Sequence, residues 1–594
     1  MSDQTHNPSL GAHVLDGNRC EFRVWAPHRD RVVVHIVAPH ESRVLLQKRS
    51  NGYHEGIVDD CGEGTRYFFD LGSAERPDPA SRSQPDGVHA ASEVIAGDFV
   101  WHDADWRGLA LEDYVLYELH VGTFTDEGTF DAIVPHLDAL KDLGITAIEL
   151  MPVAQFPGAR NWGYDGTYVG AAQSTYGGPR GLKRLADACH QRGLALLLDV
   201  VYNHLGPEGN YLSEYGPYFT ARYATPWGPA LNFDGPHSDE VRWYFIHNAL
   251  QWIDEFHIDG LRIDAVHAIV DSSAEPFLRD LNAAIHARAR ELGRRVFSIA
   301  ESDLNDPRVI TPHEQQGLGF DSQWADDYHH SLHTLLTGES DGYYESFPPK
   351  VSNLARVLTK GFLYIGQHSP YRRRKYGADP KTSDGSRFVV SAQTHDQIGN
   401  RMMGDRLTTL VAPELVRLTA AAIVLSPFLP MLFMGEEYGE TTPFQYFTSH
   451  SDADLIEAVR KGRSEEFDDF IWSGVPPDPH DEETFLRSKL KRVEDASLRA
   501  FYKELLTLRR ETPALRSLDL SRIETHADDE RRVLFVRRWT DTDEILLAFN
   551  FANEEQTLQV PLASMNGREI TLAAHGWVFL DRSTTPHPTL SPPR

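Results

Sequence analysis

The chain is predicted to be an α/β protein: a parallel (β/α)8 barrel with a β-sandwich before it and an antiparallel β domain after it. Three observations predict this. Four apolar runs end abruptly in charged or polar residues: Leu194–His204, Gly260–His267, Val296–Glu301 and Phe388–Gln397. The intervals between them leave room for helices, the alternation a parallel sheet requires. At 594 residues the chain also exceeds the roughly 250 of a bare barrel. Two flanking modules are therefore expected, at residues 1–110 and 516–594, around a barrel over 111–515.

Taken in order, Glu21–Ala26, Arg31–Val37 and Thr65–Asp70 are short β-favouring runs. Turn formers such as Asn51-Gly52 and Gly62-Glu63-Gly64 separate them, the pattern of a small sandwich. The run Arg76–Pro85 is rich in proline and serine, and because proline fixes φ and removes a donor it reads as an extended connection. Val115–Phe124 supplies the first barrel strand, Phe130–Gly144 a helix ending on glycine, and Ala147–Val153 the second strand. The four stretches above are the third, fourth, fifth and seventh strands. Phe320–His330 supplies the sixth strand with its loop, helical spacing begins at Ser331, and Met431–Tyr438 is the eighth strand. Residues 439–492 form a charged, proline-bearing insertion of no legible role. Leu498–Arg510 has the apolar stripe of a last barrel helix. Arg532–Trp539, Glu544–Asn550 and Gly576–Leu580 read as strands of the C-terminal domain.

Acidic residues outnumber basic ones 87 to 58, a formal charge of −29. That balance disfavours nucleic acid and anionic membrane surfaces as partners and leaves a neutral molecule. Cys20, Cys61 and Cys189 are widely separated and in no metal-ligand spacing, so neither a disulfide framework nor a zinc site is expected, and a reducing compartment fits. The opening MSDQTHNPSLGAHVLDG lacks the charged-then-apolar pattern of a secretory signal. No apolar run approaches the roughly 18 residues of a membrane span. A soluble, cytoplasmic protein is expected, and composition sets no oligomeric state.

In a parallel barrel the loops after the strands converge on one face, so Asp264, Glu301 and Asp396 are expected to meet there. A single acid at a strand end caps a helix as readily as it catalyses. Four ordered strand ends carrying polar groups are a stronger signal. Cleaving a glycosidic bond needs one carboxylic acid to protonate the leaving oxygen and a carboxylate where positive charge develops at the anomeric carbon. Asp264 and Glu301, on adjacent strands, suit a separation of about 5–5.5 Å, the retaining geometry. Arg262 shares the strand face of Asp264 and favours its ionised form.

The four stretches contain DVVYNH (Asp199–His204), GLRIDAVH (Gly260–His267), IAES (Ile299–Ser302) and THDQ (Thr394–Gln397). In this order they resemble the α-amylase clan of glycoside hydrolases and transferases. The resemblance implies Asp264 as nucleophile, Glu301 as general acid/base, and Asp396 as the residue that holds substrate hydroxyls and stabilises the transition state. It further implies that His204 and His395 hydrogen-bond the sugar beside the scissile bond, that Tyr164 stacks on it, and that Asp165 also binds substrate. Asp199 is then an orienting residue and Asn203 a loop anchor. The residue matching Asn203 often ligates calcium in amylases, but no carboxylate-rich partner loop is found, and neither a metal ion nor a cofactor is expected. Phe22–Pro27 is similar to the opening strand of the N-terminal sandwich in branching and debranching members.

Within the clan, Glu118–Thr125, Gln323–His330, Thr394–Arg401 and Phe433–Glu440 resemble the maltooligosyltrehalose trehalohydrolase family. That family hydrolyses the α-1,4 bond next to the terminal trehalose of a maltooligosyltrehalose and releases trehalose. The resemblance implies maltooligosyltrehalose and related α-glucans as partners. It places Arg262, Ile263, Ala265, Val266 and His267 in the substrate cleft. It adds Asp326, Asp327, Tyr328, His329 and His330, and then His395, Gln397, Ile398, Gly399 and Asn400. A polar rim of this kind suits an uncharged, hydroxyl-rich leaving group. Two other readings remain: a glycogen branching enzyme, which usually reads HDE where this chain has His395-Asp396-Gln397, and a non-catalytic glucan-binding protein that keeps the barrel. The complete acid set counts against the second.

Overall fold

The computed structural model describes residues 9–15, 18–225, 227–467, 474–562 and 567–581. Its centre is a closed parallel barrel whose eight strands follow one another round the ring in chain order. They are β1 (Leu116–Leu119), β2 (Ala147–Leu150), β3 (Ala195–Val200), β4 (Gly260–Ile263), β5 (Phe297–Ala300), β6 (Ser322–Trp324), β7 (Phe388–Ser391) and β8 (Leu429–Phe433). β8 closes on β1 through the pair Leu116 and Met431. The expected eight strands are all present.

Strand side chains alternate between two faces, and in a barrel wrapped by helices both faces are buried. One parity fills the interior, where Leu116, Ala147, Leu197, Ile299, Trp324 and Val389 pack together. The other parity meets the helices in the main core. The helices that matter below are α1 (Gly178–Gln191), α2 (Ser238–Glu255), α3 (Phe277–Leu292), α4 (Asp326–Thr337), α5 (Ala453–Glu465) and α6 (Ala496–Glu511). α1 carries Pro179 in its first turn, where a missing N–H costs nothing, and α3 stops at Gly293 with φ +62°. α4 starts at Asp326 rather than at the expected Ser331. Asp326 and Asp327 occupy its first turn, where acids offset the helix dipole.

The N-terminal part holds a four-stranded and a five-stranded antiparallel sheet, with Phe22 edge-on to Tyr67 at 4.8 Å. The proline-rich run 76–85 differs from a plain connection because much of it is buried against the barrel. Asp78 accepts from Tyr67 Oη at 2.7 Å, and Arg82 donates to Glu255 of α2 at 2.8 Å, so its polar groups are satisfied without water. The C-terminal part is a four-stranded antiparallel sheet over 523–581 with a two-stranded companion. Buried Arg538 ties it to the barrel by donating to the carbonyls of Leu425 at 2.8 Å and Leu515 at 3.0 Å. Among the described residues, no helix is long and apolar enough to cross a membrane. The three cysteines are buried free thiols.

The end of the barrel opposite the strands' C-termini is pinned by a charge network. Asp103 Oδ2 meets His190 Nδ1 at 2.8 Å and His257 Nδ1 at 2.7 Å, and His190 Nε2 meets Asp259 Oδ2 at 2.9 Å. Both nitrogens of His190 can donate only as imidazolium. Burial lowers the His190 pKa, but Asp259 and Asp103 outweigh it and hold it above the usual histidine value. Burial likewise opposes ionisation of Asp103, but the two histidines hold its pKa below the usual carboxylate value. The Asp103 contribution is lost as pH falls through its depressed pKa, and that of His190 as pH rises through its raised one. Asp103→Asn is expected to lower unfolding free energy by about 3 kcal/mol or more, most clearly between roughly pH 4 and 6.5. Denaturant melts across that range check it, and an unchanged midpoint contradicts it.

Candidate active site

Three strands deliver the acids. Asp264 follows β4, Glu301 follows β5, and Asp396 sits in the first turn of the short helix His395–Gly399 after β7. The three side chains line one cleft of about 520 Å³.

Arg262 lies beneath the cleft and is fully buried. Its Nη1 donates to Asp199 Oδ2 and to Asp264 Oδ1, each at 2.7 Å, and its Nη2 lies 3.8 Å from Glu301 Oε2. Its guanidinium stacks 4.2 Å above the Trp324 ring. Asn203 Nδ2 donates to Asp264 Oδ2 at 2.6 Å and to its carbonyl at 3.0 Å. Both oxygens of Asp264 are thus held. Asn203, expected to anchor its loop, also orients this carboxylate.

Ala265 adopts φ +40°, a left-handed conformation that costs a non-glycine residue about 1–2 kcal/mol. The turn aims its N–H at Glu301 Oε2 at 2.5 Å, so the strain serves to fix the acid. Burial is the largest influence on Glu301 and pushes its pKa well above the ordinary carboxylate value. Arg262 opposes this, while Asp264, Asp396 and Asp326 add to it. Asp199 is pushed up to about 7, chiefly by burial.

His395 Nδ1 contacts Glu118 Oε1 at 2.5 Å, and its Nε2 contacts Tyr164 Oη at 2.7 Å. Burial lowers the His395 pKa, but Asp396 and Glu118 raise it to about 9. The Tyr164 hydroxyl donates to Asp199 at 2.7 Å, which links this group to the Arg262 cluster. His204 Nε2 meets the Tyr164 carbonyl at 2.9 Å, and its ring stacks on Trp227 at 4.8 Å. Trp227 is 50% exposed at the mouth of the cleft. Sequence reasoning missed it; the available signal was a large aromatic beside Pro226 and Gly228 in a turn.

Tyr164, Asp165, His204, Ala265, His267 and Asn400 line the cleft as expected from the motifs. Asp326, Asp327 and His330 line a second cavity of about 440 Å³. The cavities adjoin where His267 Nε2 approaches Asp303 Oδ1 at 3.7 Å. Burial, then Asp396 and Asp303, push Asp326 up to about 7.

Seven expected cleft residues are elsewhere. Ile263 alternates with Arg262 and Asp264 and so faces the helices, in the main core with Val266 and Ile398. Tyr328 donates to the Ala422 carbonyl at 2.7 Å, and His329 Nδ1 meets the Ala392 carbonyl at 2.7 Å, because the helical turn points both away from the cavity. Gln397 and Gly399 shape the loop: Gln397 accepts from Thr394 Oγ1, and a Cβ at Gly399 would lie 2.0 Å from the Trp162 ring. The insertion supplies Tyr446, Val459, Gly462, Arg463 and Glu466 to the cleft wall. Arg463 Nη2 donates to the Gly399 carbonyl, joining this wall to the loop of Asp396.

Among the described residues, one trio has ligand atoms close enough to hold a metal ion: Asp103, His190 and His257, within 4.8 Å of one another. These atoms already bond one another at the far end of the barrel, away from the cleft.

The family model for the alpha amylase catalytic domain matches residues 77–227. The malto-oligosyltrehalose trehalohydrolase of Saccharolobus solfataricus is 46% identical over 498 residues, 84% of this chain and 86% of that protein. That of Rhizobium sp. is 42% identical over 586 residues, 96% of each. A solved Salmonella typhimurium protein assigned as an alpha amylase superposes with TM-score 0.88 at 37% identity, over 96% of this chain and 99% of that one.

Asp326→Asn removes the charge that Asp326 turns toward Glu301 once it ionises. The Glu301 carboxyl, followed by carbon NMR, is expected to titrate at lower pH than in the wild type. An unchanged titration would separate the two cavities electrostatically.

Proposed function

Because the chain belongs to the malto-oligosyltrehalose trehalohydrolase family and is an α-amylase-type glycoside hydrolase, we propose that it cleaves the α-1,4 bond beside the terminal trehalose with Asp264, Glu301 and Asp396 as its catalytic acids. The glucan occupies the cleft and the trehalose the second cavity. One observation carries this reading: three acids from three strands share a cleft, and burial pushes the pKa of one of them, Glu301, above the ordinary carboxylate value.

The chemistry follows from the geometry. Glu301 Oε2 accepts from Ala265 N, which leaves Oε1 to carry the acid proton toward the glycosidic oxygen. Asp264, held by Arg262 and Asn203, attacks the anomeric carbon as that proton transfers and the bond to trehalose breaks. Trehalose departs and the sugar stays esterified to Asp264. Water then enters, Glu301 takes its proton, and the resulting attack frees the oligosaccharide with its α configuration retained. Asp396, next to His395 at 3.5 Å, holds the hydroxyls of the reacting ring as its geometry flattens. His204 and Tyr164 border that ring.

Glu301 acts first as an acid, so its raised pKa keeps turnover high until pH rises through that value. The test is product analysis on maltopentaosyl trehalose by proton NMR. Trehalose and an α-configured oligosaccharide are expected first, and Glu301→Gln is expected to lower kcat by about 10³-fold. New α-1,6 branches without trehalose would make the protein a transferase, and an undiminished rate in the variant would remove Glu301 from the mechanism.

A further inference from the structure

One wall of the second cavity is a hairpin that the mechanism above leaves without a role. Its strands, His368–Ser369 and Arg374–Lys375, pair antiparallel and put Tyr371 and Arg372 at the turn. Arg372 Nη2 donates to the Asp303 side chain at 2.9 Å and to the Asp303 carbonyl at 3.2 Å. The guanidinium lies 4.2 Å above the Tyr376 ring, and Tyr376 Oη donates to the same Asp303 carbonyl. A second tie runs to Ser346, whose Oγ meets Ser369 Oγ at 2.8 Å and accepts from Tyr371 N at 3.2 Å. The hairpin is therefore clamped from two sides.

The position of the clamp matters more than its strength. Asp303 follows β5 by the same loop as Glu301, and it also faces His267 of the catalytic cleft. Asp326 and the hairpin residues Ser369, Tyr371 and Arg372 all line the second cavity, so a leaving group released at Glu301 that enters it is bounded by both. At about 440 Å³ the cavity lies within the roughly 300–1,000 Å³ of pockets that enclose a small ligand, whereas a long glucan needs an open groove. Aromatic faces from Tyr343, Phe347 and Tyr371 suit the apolar faces of sugar rings, and the aspartates suit hydroxyls.

We propose that Arg372 is a positioning residue for specificity: by clamping the 364–376 hairpin to Asp303 it makes that hairpin an end wall, which limits the leaving group to two sugar rings. The inference rests on the functional reading above. A trehalosyl end fits because it terminates after two rings. A plain oligosaccharide whose reducing end runs further is stopped by the wall.

The test compares the wild type, Arg372→Ala and Arg372→Lys on maltopentaosyl trehalose and on maltoheptaose, with product lengths resolved by chromatography. Arg372→Ala is expected to lower kcat/KM on the capped substrate by about 10-fold, chiefly through KM. From maltoheptaose it is expected to release fragments longer than maltose from the reducing end, which the wild type does not. Arg372→Lys, which restores the charge but not the planar stack, should fall between the two. Equal losses on both substrates, or an unchanged product spectrum, overturn the proposal. If Arg372→Ala does not fold, Tyr371→Ala, which leaves the clamp intact and removes a ring from the wall, must lengthen the released fragments, and an unaltered spectrum overturns the proposal equally. A wild type without preference for the capped substrate would instead overturn the functional reading.

Discussion

A buried guanidinium organises this molecule. Arg262 has no access to water, and burying an unpaired charge costs several kcal/mol, so its neighbours must supply the compensation. They do so from four successive strands: Asp199 from β3, Asp264 after β4, Glu301 after β5 and the Trp324 face on β6. Closing the barrel brings these strand ends to one level, and the cation then fixes the relative positions of the two acids that do the chemistry. The same charge that orients Asp264 limits how far Glu301 is pushed up by burial and by its acidic neighbours. One interaction thus couples fold to reactivity.

Around this centre the loops divide the labour. The Ala265 turn spends backbone strain to aim a donor at Glu301. Glu118, from the inner face of β1, holds His395 and through it Tyr164 and Asp396. The insertion carrying α5 lines one cavity and the 364–376 hairpin lines the other. Precision comes from the strands and selectivity from what is laid over them, the division expected when one barrel supports many chemistries.

The barrel is legible in the sequence because parallel strands buried on both faces must be apolar runs, and because four of these runs break into charged or polar residues at their C-terminal ends. The three acids could be placed by that rule alone. Which residues of a motif reach the cleft was less legible, since a matched stretch says nothing about which way each side chain points. Period two assigns Ile263 to the helix side of β4, opposite Arg262 and Asp264. Along α4 the four-residue period puts Asp326 and His330 on the cavity side and turns Tyr328 and His329 from it. Trp227, Arg463 and Arg372 could not be found that way, because their loops acquire a role only once distant segments meet.

The account stands on Asp264 being the group that the Arg262 cluster presents to the anomeric carbon. A 5-fluoro α-maltosyl fluoride, which slows breakdown of the glycosyl-enzyme, followed by mass spectrometry of the peptides, tests this directly. The account predicts one added maltosyl group on the peptide that carries Asp264, lost when Asp264 is replaced by Asn. A label on another carboxylate, or turnover of the reagent with inverted configuration and no label, would contradict it.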